Sequence, residues 1–168
     1  MSFAAILFAS GMLAAAASDL WKRRVPNWMN LSIFFAGLGA QAMDGGSAAL
    51  AQGLLGAGAA MLLLLPLFHK RWLAGGDVKL MIAAGAWLSP TLTFWMILIG
   101  LAGGGLISLA IAATGGASLR GEIAVNLQNA YWTRDMPSVP RRGNGQMVPM
   151  AVALAGAAIG VFAARGGL

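Results

Sequence analysis

Apolar runs close to bilayer-crossing length, separated by short segments that hold nearly every charge, constrain this chain more than any other feature. Apolar residues make up 59% of the 168, charged residues only 10%, and mean hydropathy is +0.77. A soluble domain is about half apolar and about a quarter charged. The chain therefore reads as an integral membrane protein, and since backbone groups in lipid must be satisfied within the segment, as an all-α bundle. No linker interrupts it, so residues 1–168 are expected to form a single membrane domain.

Taken in order, the first apolar run covers Ser2 to Ser18 and reaches bilayer length with Asp19 to Trp21. A signal peptide ending near Ala15-Ala16-Ala17-Ser18 is the rival, but no Lys or Arg precedes the run while Lys22, Arg23 and Arg24 follow it. Val25-Pro26-Asn27 then punctuates the chain. A second helix is expected from Trp28 to Met43, a turn at Asp44-Gly45-Gly46-Ser47, and a third helix from Ala48 to Phe68, with Pro66 near its end. His69-Lys70-Arg71 closes it.

The fourth run, Val78 to Leu88, is stopped by Ser89-Pro90 and reaches only about 17 Å, roughly half the hydrocarbon core. The favoured expectation is that the segment from Trp72 onward also lies within the membrane, with Gly75-Gly76 as a backbone break facing protein or water. A fifth helix is expected from Thr91 to Ala113 and a sixth from Met147 to Ala164. Between these two, Leu119, Ile123, Leu127 and Tyr131 recur at four-residue steps, which fits either a helix on the membrane surface or a loop helix packed on the bundle. Gly100 with Gly104, and Gly156 with Gly160, have the spacing of close helix contacts.

Six helices with the N-terminus outside place Lys22, Arg23, Arg24, Lys70, Arg71, Lys79, Arg120, Arg134, Arg141 and Arg142 on the cytoplasmic side, and only Arg165 opposite. The net charge of +6 and a pI near 11.3 are thereby explained by orientation, and nucleic acid is not needed as a partner. The chain has no cysteine and a single histidine, His69, which excludes thiolate catalysis and cysteine or multi-histidine metal sites.

Of the five acids, Asp44 falls in the outer turn and Glu122 and Asp135 in the polar loop, as solvated charges. Asp19 and Asp77 remain, both at the cytoplasmic edge. Asp19 could pair with Lys22 or Arg23, although an acid at a helix C-terminus opposes the macrodipole. Asp77 could be an N-cap. Ionisable groups in membrane segments are costly and mark function. Two carboxylates brought within a few ångströms share a proton. The ionised member can then activate water against a peptide carbonyl while the protonated member polarises its oxygen. That is aspartic peptidase chemistry, which uses no metal and no cofactor. Glycines beside Asp77 let a backbone lie close to an extended substrate.

Asp19-Leu20-Trp21-Lys22-Arg23-Arg24-Val25-Pro26-Asn27 resembles the first signature of the type IV prepilin peptidases, and Ala74-Gly75-Gly76-Asp77-Val78-Lys79-Leu80 resembles their second, Gly-x-Gly-Asp-Val-Lys-Leu. Val148-Pro149-Met150-Ala151 is similar to the Pro-Tyr-Gly-containing start of the family's last helix. The small size resembles the short branch that processes Flp/Tad pilins. The resemblance implies Asp19 and Asp77 as the catalytic pair, with Gly75, Gly76, Lys79 and Pro149 binding substrate or shaping the site and Pro26 and Asn27 forming a structural turn. It implies a multi-pass protein of the bacterial inner membrane whose partners are the lipid bilayer and a prepilin or pseudopilin, cut after a short basic leader. Three positions depart from the motifs: Ala74 replaces a glycine, and Met150-Ala151 replaces Tyr-Gly. Neither removes a carboxylate, so activity is expected.

A small proton- or ion-coupled transporter using Asp19 and Asp77 is the alternative, but only one discontinuous segment is visible where two halves would each supply one. A catalytically dead scaffold for pilus assembly is a third reading, which retention of both acids opposes.

Overall fold

The computed structural model describes residues 3–22, 25–70, 72–114 and 150–164. Among these the elements are all helical: α1 (Phe3–Lys22), α2 (Asn27–His69), α3 (Gly75–Gly85), α4 (Pro90–Thr114) and α5 (Met150–Phe162). The all-α expectation holds. The chain divides into two compact units, one of residues 1–104 with 149–168 and one of residues 105–148. The first contains both acid-bearing motifs. The amphipathic segment at 115–146, together with Arg23, Arg24, Arg71, Pro149 and Arg165, lies outside the described residues.

Among the described residues, three helices are long and apolar enough to cross a membrane: Phe3–Lys22, Asn27–His69 and Pro90–Ala110. The second of these is two helices in one. Gly45 (φ −144°, ψ 19°) and Gly46 (φ 60°, ψ −146°) leave helical geometry, and Gly46 sits in a region that only glycine enters without strain. A straight helix would separate residues 41 and 53 by about 18 Å. Instead, a Cβ built on Gly53 would lie 3.3 Å from the Gln41 side chain and 3.4 Å from that of Leu38. The limbs 27–44 and 47–69 thus fold back on each other at the turn expected from Asp44-Gly45-Gly46-Ser47.

The glycine pair at 75–76 does not break the backbone as expected. Both residues are helical, in the first turn of α3, and the interruption falls upstream at 72–74. Ala74 is the N-cap, with φ −73° and ψ 146°, and its carbonyl accepts from the backbone N–H groups of Asp77 (3.1 Å) and Val78 (3.2 Å). The first residues of a helix make no i−4 bond of their own, so glycine's poor helix propensity costs least there. At 11 residues α3 is short, and Val78, Leu80, Met81, Ala83, Ala84 and Gly85 are all buried. It is shorter than the three long apolar helices and packs within the bundle.

Close approach at α3 depends on missing side chains. A Cβ on Gly56 would collide with the carbonyl oxygens of Leu88 and Gly85, and one on Gly53 would come within 2.6 Å of the Ala86 oxygen. Gly37 lies against the Trp87 indole, and Gly100 against Leu154 and Met81. In lipid, helices associate through such van der Waals contact. The Gly156/Gly160 expectation fails: both are exposed, and a Cβ on either would meet nothing within 4 Å among the described residues.

Trp87 ties the bundle together. Its Nε1 donates to the Ile33 oxygen at 2.8 Å, and its ring lies 5.1 Å from Phe8 of α1 and 6.3 Å from Phe162 of α5. Phe8 and Phe162 are themselves 4.8 Å apart. A Cβ on Gly11 would touch Ile33 at 3.2 Å. These contacts fix one level in the bundle, at residues 8–11 of α1, 33–37 of α2 and 87 after α3.

Candidate active site

From that shared level the two acids can be placed by helix rise alone. Asp19 lies eight residues beyond Gly11, about 12 Å along α1. Asn27 lies six residues before Ile33 and Lys79 eight before Trp87, about 9 and 12 Å in the same direction. The last turn of α1 and the first turns of α2 and α3 therefore meet at one end of the bundle. There the Lys79 Nζ donates to the Asn27 Oδ1 at 3.0 Å, joining residues 52 apart in sequence. The two motifs are thus in direct contact.

Asp19 is half-buried in the last turn of α1, and Asp77 is half-buried at the third position of α3. Asp77 is not the N-cap, a position taken by Ala74. Among the described residues Asp19 forms no ion pair with Lys22. The two acids therefore stand at the same end of the bundle, on the two motifs that the Lys79–Asn27 bond joins.

Around Asp77 the backbone is accessible. A Cβ on Gly76 would meet nothing within 4 Å, whereas one on Gly75 would touch Phe68 at 3.3 Å. The alanine at position 74 has an extended backbone open to any L-residue, so this departure from the motif brings no strain. Pro26 is the N-cap of the first limb of α2, and its carbonyl accepts from Met29 and Asn30 N–H at 3.1 and 3.3 Å. Asn27 does more than form that turn, since its side chain holds Lys79. Pro149 lies outside the described residues. Met150 opens α5.

One residue was missed in the sequence. Asn30 is 5% exposed, and both its Oδ1 and Nδ2 lack a hydrogen-bond partner among the described residues. It stands on the buried face of α2 with Ile33, Gly37 and Gln41, one turn from Asn27. A polar residue within the apolar stripe of a helix whose first turn carries a motif was the available signal.

Tryptophans mark this end of the molecule. Trp21, Trp28 and Trp72 are 89%, 66% and 49% exposed, the pattern of rings lying at a membrane–water interface. Lys70 Nζ lies 5.5 Å from the Trp72 ring centroid. Among the described residues no group of three or more His, Asp or Glu side chains could hold a metal ion.

Compared with known protein families, residues 6–113 match the model of the type IV leader peptidase family. That span includes Asp19, Asn27, Asp77 and Lys79 and stops short of Pro149. Searches of curated proteins and of solved structures returned no match.

Proposed function

We propose, for a chain that belongs to the type IV leader peptidase family, that Asp19 and Asp77 are its catalytic dyad. Peptide hydrolysis is the family's chemistry, so the protein is a hydrolase that removes leader peptides of the prepilin type. Its apolar helices make it a multi-pass membrane protein. The observation that carries the catalytic assignment is the 3.0 Å bond from Lys79 to Asn27, which joins the two acid-bearing motifs at one end of the bundle.

In this reading the pair shares one proton, which starts the cycle on Asp77. Asp19 takes a proton from water as the water oxygen bonds to the scissile carbonyl carbon. Asp77 donates its proton to the carbonyl oxygen, giving a neutral gem-diol. Collapse returns a hydroxyl proton to Asp77, and the proton held by Asp19 passes to the leaving nitrogen as the C–N bond breaks. Both carboxyls end as they began.

The finer assignments rest on the charge distribution and the motif resemblance. The chain acts as one domain of six crossings with its N-terminus outside, in the bacterial inner membrane. The ten-to-one split of Lys and Arg supports that orientation, and the exposed tryptophans beside the acids support a site at the interface. The substrate is a Flp-type prepilin or pseudopilin cut at the cytoplasmic face. Gly75, Gly76 and Pro149 shape the path of the substrate, while Lys79 and Asn27 hold the two motifs together. Family membership favours hydrolysis over ion-coupled transport by the same two acids.

Co-expression with a Flp-type prepilin, followed by a gel-shift assay for leader removal, tests this. The wild type should process the pilin, and Asp19→Ala and Asp77→Ala should each leave it unprocessed while still present in the membrane. Normal processing by either variant would refute the dyad.

A further inference from the structure

A buried carboxamide with no partner is expensive to keep. Removing an amide from water without a compensating hydrogen bond is costly, and an apolar residue of similar shape would avoid that penalty. Asn30 carries such a group, with the oxygen and the nitrogen both unpaired among the described residues. Thr93 Oγ1 is the other unpaired group, but Thr93 lies against Gly56 and so near the level of Leu88, away from the acids.

The surroundings of Asn30 explain why the bundle does not satisfy it. Two cross-links hold the first limb of α2 against α3, one from Lys79 to Asn27 and one from Trp87 to Ile33. Asn30 stands midway between them, about 4.5 Å along the helix from each. The matching stretch of α3, between Lys79 and Trp87, is Leu80 to Ala86 and is wholly apolar. Its backbone groups are committed to the helix. Asn30 is therefore held in place on an apolar face, one turn deeper than the Asn27–Lys79 bond.

We propose that the Asn30 carboxamide binds a main-chain peptide group of the substrate, one to three residues from the scissile bond. The chemistry is complementary: a carboxamide offers one acceptor and one donor face, and an extended peptide offers an N–H and a C=O. An extended substrate entering a bundle from the interface brings unpaired backbone groups that must find partners there. Asn30 lies about 7.5 to 10.5 Å deeper along the helices than Asp77, depending on which of the two cross-links is taken as level, which is two or three residues of extended chain at about 3.3 Å each. Because it binds backbone, Asn30 tolerates many substrate side chains at that position. This assignment rests on the peptidase reading above.

The test uses the full-length protein in detergent with a Flp-type prepilin, and reads KM, kcat and the thermal unfolding midpoint of wild type, Asn30→Leu and Asn30→Ala. Leu replaces the polar group with a larger apolar one, and Ala guards against overpacking by it. Loss of the carboxamide should raise KM about tenfold with kcat nearly unchanged, the signature of lost uniform binding. The unfolding midpoint of at least one of the two variants should stay level or rise, since a buried unpaired group has been removed. A wild type that cuts the prepilin while both variants keep its KM overturns the role of Asn30 alone. Variants that lose stability in step with activity overturn it as well, because Asn30 would then serve the fold. A wild type that leaves the prepilin uncut overturns the peptidase reading and this inference with it.

Discussion

Lys79 Nζ donates to Asn27 Oδ1 at 3.0 Å and so fixes the first turn of α3 against the first turn of α2. Asp77 is two residues from one partner, and Asp19 is linked to the other by the short connection at 23–26. The bond therefore joins the two segments that carry the acids. Both side chains are exposed, so its contribution to stability is modest, about 1 kcal/mol or less. Its effect on geometry should be larger than its effect on stability. Lys79→Met and Asn27→Ala should each lower kcat/KM about 3- to 10-fold with little change in unfolding midpoint, and the double variant should be no worse than either single. A double-mutant cycle on cleavage checks this, and additive losses would mean that the two residues act separately.

The glycine seam gives a contrast within one residue type. Gly56→Ala places a Cβ against the carbonyl oxygens of Leu88 and Gly85, backbone atoms that cannot rotate away. It should destabilise the bundle by about 2 kcal/mol or more. Gly156→Ala meets nothing within 4 Å and removes a helix-weakening residue, so it should be neutral or stabilising by up to about 1 kcal/mol. Thermal unfolding in detergent distinguishes the two.

The long helices were legible because their signals are local. Apolar run length located α1 and α4 to within a residue or so of their observed starts, and Asp44-Gly45-Gly46-Ser47 announced the reversal inside α2. The start of α3 was misread because a glycine pair weakens a helix interior but not its first turn, where both glycines lie. Gly156 and Gly160 had the right spacing for a packed seam, yet four-residue spacing does not say which way that face turns. The Lys79–Asn27 bond was hidden because it joins residues 52 apart. Both acids could be singled out from cost and topology, whereas Asn30 shows its oddity only once its face is known to be buried.

The proposed mechanism needs one proton on the pair, so kcat/KM should fall on the alkaline side, where the pair loses that proton, and on the acid side, where it gains a second, with apparent pKa values that belong to the pair. Initial rates of prepilin cleavage across a pH series measure this, and a flat profile would contradict proton sharing.

The most direct test of the account is whether Asp19 and Asp77 work as one unit. Single-turnover cleavage of a Flp-type prepilin should be measured for Asp19→Asn, Asp77→Asn and the double variant, each confirmed as folded in detergent. Groups that share one proton in one step are strongly non-additive. Each single variant should lose at least about a thousandfold in rate, and the double should be no slower than the slower single. A single variant cutting at the wild-type rate, or two partial losses that multiply in the double, would contradict a shared dyad.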